Sequence, residues 1–327
     1  MEIKERKDKI MRNVKRNLSS IILAVIMIIT SFSAVVCAET EIGTAENTYL
    51  IGNLEELKAF VAEVGKDNTV CAKLTSDIDL AGENWTPITD VSDVAKAFAG
   101  TFDGDYHTIS NLNISSASSN GVGFFGTVNG ATIKNLNIAG TVVGNNSTAV
   151  GGIIGKAQGS AKIDSCSFSE SVSSSMAGKS AGVGGIVGRV DRGSVKITNS
   201  FNKAAVTGSV SAGILGYISK KGTSIENCYN SGTISGSVYS GGIAGSINSL
   251  NKLNLCYNKG KIEGEGTKGN ISAYNNRSTT NCYYTDGEDA PGGSTPTAAS
   301  AITKITDKSE LLSKLGAAFV ADENKIN

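Results

Sequence analysis

The chain has 327 residues, with 39 glycines, 3 prolines and 6% aromatic side chains. That is dense turn punctuation without the three-residue period of collagen, in a length that suits one large domain or two ordinary ones. Residues 1–38 hold seven of the 30 basic and three of the 30 acidic side chains, which leaves 23 bases against 27 acids in the remainder; with no basic excess to neutralise phosphates, nucleic acid is not an expected partner.

Residues 1–38 read as an export signal peptide. A basic start precedes the apolar run Ile21–Ile29, and Val36-Cys-Ala38 offers a small-residue cleavage site. The run is too short for a membrane span, which takes about 20 residues. The expected product is therefore secreted, extracellular or at the cell surface, and not membrane-spanning after cleavage.

Residues 39–68 form a lead-in and an N-terminal capping helix. Asn53-Leu-Glu-Glu56 resembles a capping box, Leu54, Leu57, Val61 and Val64 come next at helical spacing, and Gly65 is the expected stop. The helix should cover the open end of a stack of strands. Thr69–Leu74 and Asp77–Leu80 then read as the first of those strands.

From Gly123 onward one phrase recurs: Gly123-Phe-Phe-Gly126, Gly152-Ile-Ile-Gly155, Gly185-Ile-Val-Gly188, Gly213-Ile-Leu-Gly216 and Gly242-Ile-Ala-Gly245. The closing glycines are 29, 33, 28 and 29 residues apart, a period that signals a repeat architecture. A second phrase keeps step with it, beginning at Ile109, Ile133, Ile163, Ile197, Ile225, Leu253 and Thr279. Stacked, its first and fourth columns are mostly apolar, the fourth being Leu112, Leu136, Cys166, Ser200, Cys228, Cys256 and Cys282. Three residues apart, they share a face only if the chain bends between them. The third column is mainly asparagine, which tolerates bends and whose amides can bond to identical neighbours; it reads as an asparagine ladder at a corner.

Columns of like residues, one per repeat, predict an all-β solenoid: a parallel β-helix over residues 69–285, of about seven to eight coils spaced about 4.8 Å apart. The glycine phrase suits a second corner, where backbones approach closely or φ is positive. The run Thr141-Val-Val-Gly144 and its counterparts would be a third strand. Small and β-branched side chains should fill so narrow a coil.

Asp77-Ile-Asp-Leu80, Trp85-Thr-Pro-Ile88, Phe98–Gly104 and His107–Leu112, together with the two recurring phrases, resemble the GLUG-motif proteins of bacterial cell surfaces. The resemblance covers residues 50–327. It implies a secreted, right-handed, single-stranded parallel β-helix of the kind found in adhesin-like surface proteins and beside immunoglobulin-A-specific zinc metallopeptidases. It specifies no reaction. Relatives continue into a Gly-Tyr-Pro closing segment, so an incomplete C-terminus is expected.

Residues 286–303 read as a Gly/Pro/Ser/Thr-rich linker, and 304–327 as a C-terminal capping helix and tail whose leucines seal the other end.

The candidate chemistry is sparse. His107 is the single histidine, so no His-Glu-x-x-His pair exists to hold zinc, and neither a metal nor another cofactor is expected. Asp77, Asp79, Asp103 and Asp105 lie near one another; they would bind calcium, serve as a glycosidase acid and base, or act simply as solvated turn carboxylates, which is the preferred reading. Cys71, Cys166, Cys228, Cys256 and Cys282 read as buried free thiols. The fifth column turns outward and carries Phe201, Tyr229, Tyr257 and Tyr283, a strip roughly 15 Å long. Such a strip stacks on sugar rings, or is covered by the C-terminal segment. The function expected is that of a non-catalytic, monomeric surface protein, adhesin-like or structural, presenting a β-helical surface to host or envelope glycans or glycoproteins. The alternatives are a polysaccharide lyase or glycosidase, and an accessory region of a larger surface protein or peptidase.

Overall fold

The computed structural model describes residues 48–247, 251–274, 279–285 and 302–315. The backbone divides into two units, 1–48 and 49–327, and all the described residues but Thr48 belong to the second. The signal peptide, most of the linker and the tail after 315 lie outside the described residues.

The second unit is a parallel β-solenoid of about seven turns. Each turn visits three sheets. The first contains Cys71–Leu74, Thr101–Asp103, Thr132–Lys134, Lys162–Asp164, Lys196–Thr198, Ser224–Glu226, Lys252–Asn254 and Thr279–Thr280. The second begins at Phe125–Asn129 and ends at Ser272–Tyr274. The third carries the longest strands, among them Asn137–Gly144, Ser167–Ser174 and Ala205–Ala212. The fifth and sixth columns of the second phrase share this third sheet with the Val/Ile run.

Pairing is parallel and in register, so equivalent residues stack directly. Ile133, Ile163, Ile197, Ile225 and Leu253 succeed one another as partners and are fully buried. Each such side chain contributes about 2 kcal/mol of hydrophobic stabilisation. The fourth column lies inside as well, with Leu136, Cys166, Ser200, Cys228, Cys256 and Cys282 all buried.

The first copy of the second phrase is out of this stack. Ile133 pairs with Phe102, not with Ile109; Ile109 pairs with Ile138, and Leu112 with Gly140. A tight turn at Gly104–His107 takes the corner early in that coil, so residues 109–114 arrive one strand later. Asn111 (φ 55°) then forms a bulge inside the strand Thr108–Ser116.

Helix α1 (Leu54–Val64) covers the N-terminal end, capped by Asn53, whose side chain accepts from Glu56 N at 3.0 Å. Gly65 is the C-cap as expected, in a right-handed conformation (φ −65°). Phe60 meets Phe98 edge-on at 6.1 Å and Phe102 at 5.6 Å. Phe98 stacks on Phe125, and Trp85 on Phe124, at 5.2 and 5.4 Å. Large rings as well as small side chains therefore fill the first coils.

At the other end, the strand Ile302–Lys304 begins inside the segment read as linker and adds a rung to Cys282–Tyr284. Helix α2 (Lys308–Leu315) comes after it, with Asp307 accepting from Glu310 N at 2.7 Å. Its buried Leu311 and Leu315 cluster with Tyr257, Tyr283 and Ile305, a group separate from the coil interior. The leucines thus seal the outer aromatic strip. Among the described residues no helix is long and apolar enough to cross a membrane.

Candidate functional site

The third column is a row of left-handed corners. Asn135, Ser165, Asn199, Asn227, Leu255 and Asn281 have φ of 51–54°, a region Asn enters more readily than most residues. The amides do not form the expected ladder. Asn135 donates to Asp103 at 3.0 Å, Asn199 to Asp164 at 2.8 Å and Asn281 to Asn254 at 3.1 Å, each an acceptor on the preceding turn. The step from Asn227 to Asn199, at 3.3 Å, is amide to amide.

The asparagine ladder is in the sixth column. Asn202 Nδ2 donates to Asn230 Oδ1, and Asn230 Nδ2 to Asn258 Oδ1, both at 2.8 Å, and all three residues are fully buried. Each side chain also closes on its own backbone two residues on, as Asn230 does with Gly232 N (3.2 Å) and O (2.9 Å). The signal was present: asparagine recurs at this position in three successive copies. The opening glycine of the first phrase belongs to the same arrangement. A Cβ on Gly213 would come 2.5 Å from Asn230 Cγ, so close approach requires glycine there. None of the Gly-x-x-Gly glycines takes the positive φ that was the alternative explanation.

The fourth-column thiols each donate to the carbonyl two residues back: Cys228 to Glu226 at 3.2 Å, Cys256 to Asn254 at 3.4 Å and Cys282 to Thr280 at 3.3 Å. Ser200 does the same to Thr198 at 2.7 Å. Burial pushes the Cys166 thiol up to about 12, and burial with the neighbouring Cys256 raises Cys228 and Cys282. Cys166, Cys228, Cys256 and Cys282 are free. Cys71 is disulfide-bonded and so is not one of the free thiols read from the sequence.

The aromatic strip is in register as expected: Phe201 with Tyr229, Tyr229 with Tyr257, and Tyr257 with Tyr283. Phe201 and Tyr229 stack at 4.8 Å and 6°, with Lys203 Nζ 5.3 Å from the Phe201 centroid. Phe201 and Tyr229 are half-buried. Tyr257 and Tyr283 are buried at 6% and 8% exposure, under the C-terminal segment.

The N-terminal carboxylates are bound into corners. Asp77 accepts from Thr108 N at 2.9 Å and lies 3.2 Å from His107 Nδ1. Asp79 accepts from Ala81 N at 2.7 Å and Asn111 at 2.8 Å. Asp105 pairs with Lys73 at 3.0 Å. The Thr108 N–H and His107 hold Asp77 below its ordinary pKa, and Asn111 and the Ala81 N–H do so for Asp79. Burial opposes ionisation of Asp103, but the Asp105 N–H, Asn135 and Lys134 outweigh it and keep it low too. Among the described residues no three His, Cys, Asp or Glu side chains gather to hold one metal ion.

Comparison with known proteins agrees with this geometry. Halomucin of Haloquadratum walsbyi is 32% identical over 161 residues, an alignment covering 38% of this chain and only 2% of halomucin's length. A crystal structure of a candidate immunoglobulin A1 protease from Bacteroides ovatus superposes with a TM-score of 0.65 at 21% identity, covering 85% of this chain and 90% of that one. An IgA1 protease structure gives 0.57 at 18%, covering 81% of this chain and 22% of that one. At these identities the structures share the fold. Residues 146–173 match the GLUG motif, and they span one turn of the solenoid, so this chain is a β-solenoid that carries the GLUG motif.

Proposed function

We propose that this chain is an extracellular, non-catalytic solenoid module of a surface protein, presenting outward rows of side chains to glycan or glycoprotein partners. The observation that carries this reading is the commitment of Asp77, Asp79 and Asp103 to the corners. A glycosidase needs one carboxyl held protonated near neutrality, whereas the surroundings of these three favour the ionised form. The relatives support the same reading. Sequence likeness to a protein named as a mucin, and a fold shared with proteins named as IgA1 proteases, suit a region that displays and spaces better than one that reacts.

A reducing-sugar assay of the purified chain on pectin-like and host glycans, alongside a glycan array, tests this. Binding without turnover is expected. Turnover abolished by Asp103→Ala would establish the polysaccharide-processing alternative instead. Within the strip, Phe201 is the aromatic a ligand would reach first, since Tyr257 and Tyr283 are covered and Tyr229 packs against the group that covers them.

A further inference from the structure

A second aromatic row lies on a different face. At the opening glycine of the Gly-x-x-Gly phrases and the residue after it, as at Gly185-Ile186, the chain bends from the third sheet into the second, and side chains on the outside of that bend meet across it. Arg189 Nη1 donates to Ser180 O at 2.8 Å over this angle, while its Nε pairs with Asp191. A Cβ on Gly182 would come 2.7 Å from Tyr217 Cβ. The outward residue aligned with Arg189 on the next rung is Tyr217, then Ser246 and then Tyr274.

These four residues form a slot. The Arg189 guanidinium lies 5.1 Å from the Tyr217 ring centroid and covers that side of it. Ser246, 8% exposed, is the recessed floor. Tyr274, 46% exposed, forms the far wall and leans on Tyr239 at 5.3 Å and 41°. Tyr217 and Tyr274 stand two rungs apart, roughly 10 Å, about twice a ring-stacking distance of roughly 5 Å. The rung between them carries Ser246 and, across the bend, Tyr239, which borders the same space.

From this geometry we propose that the slot over Ser246, walled by Tyr217 and Tyr274 and flanked by Arg189 and Tyr239, binds a pyranose residue of a neutral linear oligosaccharide. A sugar ring has apolar faces and a hydroxyl rim. The slot answers the faces with two phenol rings and the rim with Tyr, Ser and Arg donors. A ring held face-on between these walls lies across the solenoid axis, so the adjoining sugar residues leave the slot at its sides. Charge decides for a neutral glycan: Asp191 neutralises Arg189, and the neighbouring Lys156 is attracted to Asp191 and Asp90. The proposal rests on the display reading and specifies one of its ligand classes.

The test is affinity electrophoresis of the purified chain in gels containing xylan, mixed-linkage β-glucan or polygalacturonate. A neutral polymer should retard the native protein. Tyr217→Ala and Tyr274→Ala should each weaken retardation about tenfold, with Tyr274→Phe retaining it and Tyr106→Ala, at an exposed tyrosine near the N-terminal end, leaving it unchanged; circular dichroism confirms folding. No retardation by either neutral polymer would overturn the proposal, as would retardation of both alanine variants equal to that of the native protein. Retardation by polygalacturonate alone would overturn its neutral-sugar assignment. Failure of the display reading would appear separately, as product release in the reducing-sugar assay.

Discussion

The Asn202 amide donates to Asn230 Oδ1 at 2.8 Å with both side chains wholly buried, and Asn230 repeats the bond to Asn258. A buried amide is tolerable only when its donors and acceptors are met. Here the central side chain satisfies its own backbone and two neighbours, which ties three turns together.

Asn230→Ala should therefore be severe. It strands the Gly232 N–H and C=O, the Asn202 donor and the Asn258 acceptor. Unsatisfied buried groups cost about 1–3 kcal/mol each, so a loss of about 3 kcal/mol or more is expected in urea unfolding. Asn227→Gly, at a left-handed corner three residues earlier, should cost little. Equal losses would contradict the ladder's role.

Asp105 and Tyr106 both sit at positive φ (46° and 66°), and Tyr106 is 69% exposed. A bulky residue there is strained by about 1–2 kcal/mol with no burial to offset it. Tyr106→Gly should raise the melting temperature, despite glycine's greater freedom in the unfolded chain. A lower melting temperature would mean that the ring makes stabilising contacts.

Asp77, Asp79 and Asp103 have depressed folded-state pKa values. Their contribution is complete above the unfolded carboxyl value of about 3.9 and is lost as pH falls through the folded values. Stability should fall on acidification below about pH 4. Asp103→Asn should make that fall shallower, as measured by melting temperature against pH.

The four free thiols are buried, and Cys166, Cys228 and Cys282 are held protonated. Iodoacetamide should modify the four only after unfolding. Cys256→Ser should be tolerated within about 1.5 kcal/mol, because the hydroxyl can donate to the Asn254 carbonyl as Ser200 does to Thr198.

Leu311→Ala removes a buried contact on Tyr257 and Tyr283. It should loosen helix α2 and increase iodide quenching of tyrosine fluorescence while leaving the solenoid's β-type circular dichroism unchanged. Unchanged quenching would show that the strand Ile302–Lys304 alone holds the segment.

The repeat was legible because parallel in-register pairing converts sequence period directly into stacked columns. Two neighbouring columns were harder to separate. Asn227 and Asn230 are the same residue type three positions apart, and one turns a corner while the other fills the interior. The frame of the first copy was also hidden, since nothing in Ile109–Ile114 announces that the turn at Gly104–His107 has already used the corner. Among the candidate ligand residues, the outward direction of Phe201 and Tyr229 came from strand alternation. The covering of Tyr257 and Tyr283 did not, because it depends on a helix that begins 25 residues after Tyr283.

By itself, then, the sequence determined the solenoid, its period, its interior columns and its outward aromatic row, since each depends only on residues one repeat apart. The tertiary structure decided which row is open. A side chain's exposure depends on whatever packs over it from anywhere in the chain, and the slot between Tyr217 and Tyr274 arises only when two sheets bend toward each other on the outside of the coil.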